Sequence, residues 1–337
     1  MEELNIEEYQ DPSCFTLLSK DWDSILANSE AKTIFLTRQW QSVWWHHFGK
    51  GKKLRLFALR SDAGESLGLA PLYFEQADGK VLQFIGGRDL CDYLDFIVTK
   101  GREREVLEAF LNYLLRSDDH FASLNLYSLP EDSSTLGILR SLGDEAGLRM
   151  EVSVEDTSPL ISLSRSFEDY LGRLHKKDRH EIRRKVRRAQ AGGELEFSRI
   201  ENEEELEEGF NTFIILHRKS SPEKAKFMDS RKESFFRDIA QELFKQGWLD
   251  LFFLRLKGKK IASLFCFNYQ NRLYLYNSGY DPDYSSFSPG IVLLNYCIAD
   301  AIGRGIKEFD LLRGNEPYKY HFGARDRAVY QITVEFP

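Results

Sequence analysis

The sequence contains one pattern of strands and a helix twice, and this repeat limits the fold more than any other feature. Each copy has three strand-like segments, an amphipathic helix and a further strand, and the second copy follows the first after about 195 residues. The corresponding segments are 56–60 and 251–255, 67–74 and 261–268, and 81–87 and 273–279. Such a repeat indicates two copies of one fold. The alternative is a chance similarity between two antiparallel meanders.

Periodicity and turn residues predict the individual elements. The predicted strands are 54–60, 67–75, 81–85, 92–98, 122–129, 249–257, 260–269, 273–278 and 306–312, with a hairpin turn at Asp78-Gly79. The predicted helices are 103–116, 134–146 and 289–303. Residues 1–50 are expected to be mostly helical, with Thr37 capping one helix. The predicted fold class is α/β (α+β).

Composition and cysteine use exclude several classes of protein. A chain of 337 residues with 42% hydrophobic and 13% aromatic residues has enough apolar side chains for two packed domains. Its net charge of −7 argues against a general polyanion binder. The four cysteines are far apart and form no cluster with histidines, so we expect neither a zinc site nor a disulfide framework.

Targeting signals are also missing from the sequence. The N-terminal segment is acidic and has no apolar signal-peptide core. No apolar run reaches the ~18–20 residues of a membrane span. We therefore expect a cytoplasmic protein, working either free in the cytoplasm or beside the inner membrane.

The segment 273–324 carries the most specific local pattern. In order, it comprises the strand 273–278, the loop 279–290, a helix, the strand 306–312 and a polar cluster at 313–323. The helix begins at Ser288-Pro289-Gly290. Ser288 is suited to capping, Pro289 fits the first helical turn, and Gly290 lets a ligand approach the N–H groups. This start of a helix after a strand indicates an anion site that suits a phosphate-bearing ligand.

Several stretches of this segment together resemble a known family. They are 276–282, Ser288-Pro289-Gly290, 300–302, Gly305 and 309–320, with a weaker likeness in the basic helix 176–188. They resemble the GNAT-fold acyltransferases of the CelD/BcsL type, which are relatives of the FemAB peptidyltransferases. The resemblance implies tandem GNAT-like lobes, each a mixed, mostly antiparallel sheet flanked by helices. It also implies transfer of an acyl group from acyl-coenzyme A, or from aminoacyl-tRNA in the FemAB branch, in cell-envelope or exopolysaccharide synthesis.

The repeat and the resemblance together predict two domains. Residues 1–155 would form an N-terminal GNAT-like lobe, and 156–337 an acyltransferase lobe that includes the basic helix 173–190. In the first lobe, the position that corresponds to Ser288-Pro289-Gly290 falls near Thr99-Lys100-Gly101, and no comparable polar cluster follows it. We therefore expect the first lobe to be non-catalytic and to help form the acceptor groove.

The resemblance implies that a splayed strand edge and a helix N-terminus bind the donor. The predicted donor-binding residues are Asn277, Ser278, Ser288, Pro289, Gly290 and Ile291. The loop before the helix departs from the usual GNAT pattern, which is richer in glycine and often carries an arginine. We expect acyl-coenzyme A as the donor substrate and no metal.

Acyl transfer needs a group that accepts one proton and a group that reprotonates the departing thiolate. Asp310 and Glu316 are the predicted proton acceptors, and Glu316 is preferred because it lies in a loop before Pro317. Tyr318 and Tyr320 are predicted catalytic donors and would share a face if the chain were extended. The residues predicted to bind the substrates are Arg313, Lys319, His321 and Tyr280. In the alternative interpretation, Asp310 and Arg313 form a structural ion pair and the tyrosines only pack.

The charge is distributed unevenly along the chain. A basic stretch at 173–188 precedes an acidic stretch at 194–208, and Lys176, Arg179, Arg183 and Arg187 lie on one face of the predicted basic helix. Such a face would attract nucleotide phosphates or an anionic acceptor. The alternative is a solvated helix that pairs with its acidic neighbour.

The leading hypothesis is an acyltransferase that moves an acetyl-type group from acyl-coenzyme A to an amine or hydroxyl of a cell-envelope or exopolysaccharide precursor. The acceptor would be a small molecule, a glycan or a peptide. A FemAB-like transferase that uses aminoacyl-tRNA is the second hypothesis, favoured by the basic helix and disfavoured by the net charge. The third is a non-catalytic GNAT pair that binds a glycan or acts as a scaffold.

Overall fold

The structure is a computed structural model, and it describes residues 4–75 and 80–337. The chain divides into two compact units, Met1–Asp156 with Arg327–Pro337, and Thr157–Asp326. The turn predicted at Asp78-Gly79 and the first three residues of the acidic N-terminus lie outside the described residues. Across 4–75 and 80–337, no helix is long and apolar enough to cross a membrane.

The described elements alternate between strands and helices along the chain. The strands are β1 (Asn5–Tyr9), β2 (Lys52–Arg60), β3 (Ser66–Glu75), β4 (Val81–Phe84), β5 (Ile97–Val98), β6 (Ser123–Pro130), β7 (Arg149–Thr157), β8 (Leu160–Ser162), β9 (Leu195–Arg199), β10 (Leu249–Leu256), β11 (Lys259–Tyr269), β12 (Arg272–Tyr280), β13 (Glu308–Asp310) and β14 (Ala328–Glu335). The helices are α1 (Cys14–Leu17), α2 (Ser19–Asn28), α3 (Arg38–Phe48), α4 (Glu103–Arg116), α5 (Ser134–Ala146), α6 (Phe167–Arg173), α7 (Lys176–Ala191), α8 (Glu203–Ser220), α9 (Pro222–Phe227), α10 (Ser230–Lys245), α11 (Pro289–Gly303) and α12 (Pro317–His321). Two short 3-10 segments, Ile34–Leu36 and Pro282–Phe287, precede α3 and α11.

The first unit is built on an eight-stranded sheet. Its order is β1-β2-β3-β4-β6-β14-β7, and β5 pairs with β3. The strands β1 to β4 form an antiparallel meander, after which α4 crosses over to β6, which runs parallel to β4. The C-terminal strand β14 lies between β6 and β7 in this sheet. The prediction that the second lobe extends to residue 337 is therefore wrong for this last strand.

The second unit is built on a six-stranded sheet in the order β8-β13-β12-β11-β10-β9. Here β10, β11 and β12 form the antiparallel meander, α11 crosses over, and β13 runs parallel to β12. This is the same sequence of connections as in the first unit. The predicted repeat is thereby confirmed as two mixed α/β units, each with a meander, a crossover helix and a parallel strand.

Some predicted elements differ in the structure for local reasons. Only Ile97–Val98 of the predicted strand 92–98 is paired, and the mostly helical region 1–50 also contains β1 at the sheet edge. The predicted strand 306–312 shortens to β13, because Leu312 adopts a left-handed conformation with φ 55°. Thr37 does cap α3, since its side chain accepts a hydrogen bond from the N–H of Trp40.

The core of the second unit holds α11 against the sheet. Helix α11 is apolar on most of its circumference and packs against both the sheet and α7, with Val292, Leu293, Cys297 and Ile298 buried. A helix that is hydrophobic nearly all round is stable only when it is buried. Cys266 and Cys297 are fully buried in this core, and burial raises the pKa of both thiols. These two cysteines pack as small hydrophobic residues, as predicted.

Candidate functional site

A cavity of about 340 Å³ lies in the second unit, between β12 and the start of α11. Residues from five segments of the chain line it: Lys224, Leu264, Leu275, Ser278, Tyr280, Ser285, Ser288, Pro289, Gly290, Ile291, Leu294 and Tyr318. Its volume is within the range of small-ligand pockets, ~300–1,000 Å³. Seven of these residues are among the predicted site residues: Ser278, Tyr280, Ser288, Pro289, Gly290, Ile291 and Tyr318.

The cavity exists because β12 runs on beyond its parallel neighbour. Only Arg272, Leu273 and Tyr274 of β12 pair with β13, whereas β12 continues to Tyr280. From Leu275 onward, β12 pairs only with β11. Its other edge, where β13 lies beside Arg272 to Tyr274, has no neighbouring strand in the described part of the chain. The backbone edge after Tyr274 is therefore available to a ligand or to side chains, as in the splayed edge that the resemblance implied.

A β-bulge determines which side chains of β12 face the cavity. The register with β11 shifts between Phe265 and Cys266, so that Tyr276 has no direct partner residue. As a result, Leu275 and Ser278 line the cavity, while the side chain of Asn277 faces α8. The Oδ1 atom of Asn277 lies 3.0 Å from Nε2 of the buried His217, and burial lowers the pKa of this histidine to about 4. Asn277 thus does not direct its side chain to the donor site as predicted.

The N-terminus of α11 points its N–H groups at the cavity. Ser288 adopts a left-handed conformation, φ 51° and ψ 53°, and among the described residues its side chain makes no capping hydrogen bond. This corrects the predicted capping role of Ser288. Pro289 has no N–H, and the N–H of Val292 bonds the carbonyl of Ser288, so Gly290 and Ile291 provide the first unbonded N–H groups of the described helix.

An arginine from the basic helix stands at this helix start. The Nη2 atom of Arg188 donates a 3.0 Å hydrogen bond to Oγ of Ser288. Arg188 is on α7, one hundred residues earlier in the chain, and its side chain is exposed. The arginine missing from the loop itself is thus supplied by another helix, adding positive charge to the partial positive charge of the helix N-terminus.

The remaining cations of α7 are divided between paired and unpaired groups. Arg183 pairs with Glu168, Arg184 pairs with Glu181, and Arg179 donates to the carbonyls of Leu171 and Gly172. The predicted face of four cations is therefore partly neutralised. The exposed Lys176 and Lys177 of α7, and Arg173 at the end of α6, form no ion pair within the described residues.

Lys224 lies at the side of the cavity next to Ser278, and it was not among the predicted site residues. Its Nζ atom donates hydrogen bonds to the carbonyl oxygen and the Oγ of Ser278, at 2.6 and 3.0 Å. Burial lowers the pKa of Lys224 to about 8, and the negative charge of Glu316 partly opposes this shift. Because Lys224 and Ser278 are 54 residues apart in the sequence, no local spacing connects the two.

Tyr318 lines the cavity from the short helix α12. Burial, followed by the charge of Glu316, raises the pKa of this tyrosine, so its hydroxyl stays protonated at neutral pH. Successive residues of a helix point about 100° apart. Tyr318 and Tyr320 therefore do not share a face as predicted for an extended chain, and the hydroxyl of Tyr320 instead donates to Asp326 at 2.7 Å.

Lys319 has a structural environment that differs from its predicted substrate-binding role. It is buried, and its Nζ atom donates to the carbonyls of Leu312, Arg313 and Gly314 at 2.9–3.0 Å. Its Nζ is also 3.0 Å from Oε2 of Glu316. A buried ammonium is stable when it is paired and hydrogen-bonded in this way. Lys319 thus fixes the loop that follows β13.

The two predicted proton acceptors lie in different surroundings. Glu316 is exposed at the start of α12, with its carboxylate against Gly314 and Lys319. Asp310 is fully buried, accepts a hydrogen bond from the N–H of Leu312, and lies 3.7 Å from Arg272. Asp310 is beside Tyr274 in the sheet, and Ser278 is four residues further, which is about 13 Å of strand. Its position contradicts direct proton transfer in the cavity.

The other predicted substrate-binding residues are dispersed around this site. Tyr280 lines the cavity, and its N–H bonds Oγ of Ser220. His321 is exposed on α12 and its Nδ1 lies 2.7 Å from Oδ1 of Asp178, which connects α12 to α7. Arg313 is half-buried in the loop held by Lys319.

The chain is similar in sequence to one known protein family and in fold to several solved structures. Residues 176–320 match the family described as an acetyltransferase (GNAT) domain. A search of the curated proteins found no match. The fold is similar to that of FemX, with 12% identity, a TM-score of 0.68 and 96% of each chain covered. It is also similar to L-PGS from Bacillus licheniformis, with 12% identity, a TM-score of 0.58 and coverage of 96% of this chain and 91% of that one.

A tandem GNAT protein from the clavulanic acid biosynthesis pathway has 13% identity, a TM-score of 0.52 and 99% coverage of both chains. At these identities the structures show the fold alone. The matched domain includes the cavity residues from Lys224 to Tyr318, together with Arg188. This chain therefore has a tandem GNAT fold, and its residues 176–320 match the acetyltransferase (GNAT) domain family.

Proposed function

We propose that the second unit transfers an acetyl-type acyl group from acyl-coenzyme A to an amine or hydroxyl of a cell-envelope or exopolysaccharide precursor. The observation that carries this proposal is the cavity between the unpaired edge of β12 and the uncapped N-terminus of α11. The narrower likeness to the CelD/BcsL type, which rests on residues in 276–320, supports the class of acceptor.

The lining of the cavity suits both chemical parts of the donor, the pyrophosphate and the pantetheine arm with its acyl chain. The N–H groups of Gly290 and Ile291, with the guanidinium of Arg188, form a positive site for a pyrophosphate. Leu264, Leu275 and Leu294 give the cavity an apolar wall for the pantetheine arm and the acyl chain. The edge of β12 offers backbone groups to the amides of the arm, in the manner of an added strand.

The first unit has a different environment at the corresponding helix start. Helix α4 carries Glu103 and Glu105 in its first turn, and Oε2 of Glu103 accepts the N–H of Gly101 at 2.8 Å. The first turn of α4 is thus acidic, whereas that of α11 has no acidic residue, and this negative charge disfavours a phosphate at the start of α4. This supports the proposal that the first unit is non-catalytic.

Calorimetric titration with coenzyme A and acetyl-coenzyme A tests the donor, using the wild type and Gly290→Glu. A Cβ at Gly290 would have no atom within 4 Å, so the variant is expected to fold while placing a carboxylate at the anion site. We expect saturable binding in the wild type and a loss of at least about tenfold, or 1.4 kcal/mol, in Gly290→Glu.

Gly137→Glu provides the matched control. Gly137 is an exposed helical glycine of the first unit whose Cβ would also have open space. It should bind coenzyme A as the wild type does. Equal binding by Gly290→Glu and Gly137→Glu would remove the donor from the start of α11.

A FemAB-like reaction with aminoacyl-tRNA is the second candidate, because Lys176 and Lys177 of α7 and Arg173 of α6 are exposed without ion pairs in the described chain. Each phosphate contact releases counterions, so tRNA binding should weaken steeply with salt. Tight, salt-sensitive binding of aminoacyl-tRNA without coenzyme A binding would favour this donor. If neither donor binds but a glycan does, the non-catalytic hypothesis takes precedence.

A further inference from the structure

The second unit contains a buried lysine, Lys319, and a half-buried one, Lys224, in contrasting surroundings. Lys319 has a carboxylate at 3.0 Å and three carbonyl acceptors, so its charge is compensated. Lys224 has no carboxylate within ion-pair distance in the described chain, and both of its hydrogen bonds go to Ser278. Only Lys224 lines the cavity.

This environment makes the neutral amine of Lys224 accessible near physiological pH, although the ammonium form still predominates below pH 8. Burial lowers its pKa to about 8, which is within reach of a working enzyme's pH. A neutral amine that donates two hydrogen bonds to Ser278 retains one lone pair. Because the amino group borders the cavity, this lone pair is available to accept a proton from a ligand bound there.

We propose that Lys224 is the catalytic base of the second unit, accepting the proton of the attacking amine or hydroxyl and returning it to the departing thiolate. The inference rests on the proposed acyl transfer and assigns its proton transfer to a residue on α9 instead of Glu316. Ser278 holds the amino group in place, and the protonated hydroxyl of Tyr318 is a second hydrogen-bond donor in the same cavity.

The step balances without another reagent. The acceptor nitrogen or oxygen forms a bond to the thioester carbonyl carbon while its proton moves to Nζ of Lys224. The tetrahedral intermediate then collapses, the carbon–sulfur bond breaks, and the ammonium gives its proton to the sulfur. The products are the acylated acceptor and the free thiol, and Lys224 is again a neutral amine.

The first test labels amino groups with acetic anhydride from pH 6 to 10 and follows each lysine by mass spectrometry. Lys224 labelling should rise with a midpoint near pH 8 and should be suppressed by saturating coenzyme A. The exposed Lys226 of the same helix is the internal control and should not be protected. This test needs no variant and no knowledge of the natural acceptor.

The second test follows thiol release from acetyl-coenzyme A, with water as the acceptor, in the wild type and in Lys224→Arg and Lys224→Met. The wild-type rate should rise about tenfold per pH unit below pH 8 and then level off. Both variants should lose about 100-fold at pH 9 and lose this pH dependence, because neither offers a titrating amine. Thermal unfolding shows whether each variant is folded.

The outcomes separate this inference from the proposed function. If coenzyme A binds but leaves Lys224 unprotected, or if folded Lys224→Arg keeps the wild-type rate and pH profile, Lys224 is not the base. If coenzyme A fails to bind the wild type, the proposed donor itself is wrong. Protection of Lys224 together with the loss of pH-dependent cleavage supports both.

Discussion

Glu316 influences the site through its charge on Lys224, and this gives a prediction for one residue. The carboxylate raises the pKa of Lys224 against the larger effect of burial. In Glu316→Gln the ammonium form loses this stabilisation, so the pKa of Lys224 should fall. We expect the midpoint of the rate profile to move to lower pH, by less than about one unit because Glu316 is exposed to water.

The measurement is the pH dependence of thiol release from acetyl-coenzyme A between pH 6 and 9.5. Asp326→Gln is a suitable control, because this exposed carboxylate bonds Tyr320 and does not line the cavity. Loss of activity at every pH in Glu316→Gln would return the role of base to Glu316, as first predicted from the sequence.

Single residues of the site were predictable where they are neighbours in sequence. The residues from Ser288 to Ile291 line the cavity because they begin one helix, and a helix start can be read from local residue types. Lys224 and Arg188 were missed as members of the site because α9 and α7 reach it only through tertiary packing. Asn277 was misplaced because a bulge at Tyr276 reverses the alternation of β12, and nothing in the residue types marks that bulge.

Helix α7 should contribute to donor binding through one end only. Arg188 bonds Ser288 at the start of α11, whereas Nε of the adjacent Arg187 contacts the carbonyl of Arg183. Arg188→Gln should weaken coenzyme A binding about three- to tenfold and reduce its salt dependence, because one phosphate contact is lost. Arg187→Gln is the matched control, since it removes the same charge from the neighbouring position.

Calorimetric titrations at several salt concentrations compare the two arginine variants. A larger loss in Arg188→Gln than in Arg187→Gln indicates a specific contact at α11. Equal losses would mean that α7 acts only as a general basic surface.

Whole elements were predictable where one strong pattern extends along them. The bounds of α4, α5 and α11 agree with the predicted helices 103–116, 134–146 and 289–303. The short α12 was not predicted, because its five residues 317–321 are too few to show a helical period. Helix α12 turns Tyr318 to the cavity and Lys319 to the loop after β13. Because this helix was not predicted, Lys319 was wrongly predicted to bind the substrate.

On the scale of the whole chain, the repeat predicted the two-unit architecture but not its last strand. The meander and crossover recur in the residue pattern, and both units contain them. The strand β14 comes directly after the second unit in sequence yet pairs with β6 in the first. Hydrophobic alternation predicts a strand but does not say which sheet it joins.

This strand makes the integrity of the first unit depend on the end of the chain. Val329, Ile332 and Val334 are buried, and β14 separates β6 from β7 in the sheet. Truncation after Asp326 removes these side chains, each worth ~1.5–3 kcal/mol of burial, and leaves β7 without a neighbour. The summed loss is comparable with the ~5–15 kcal/mol by which proteins of this kind are stable, so we expect the first unit to unfold.

Hydrogen exchange measured by mass spectrometry tests this expectation segment by segment. Peptides from 80–156 should lose protection in the truncated chain, while those from 157–326 keep it and coenzyme A binding persists. Glu335→Lys, a change at an exposed position of the same strand, should leave both units protected. Equal loss of protection in both units would mean that they form one cooperative body, whereas no loss would mean that β14 is dispensable. The expected pattern follows from the sheet order alone, since only the first unit contains β14.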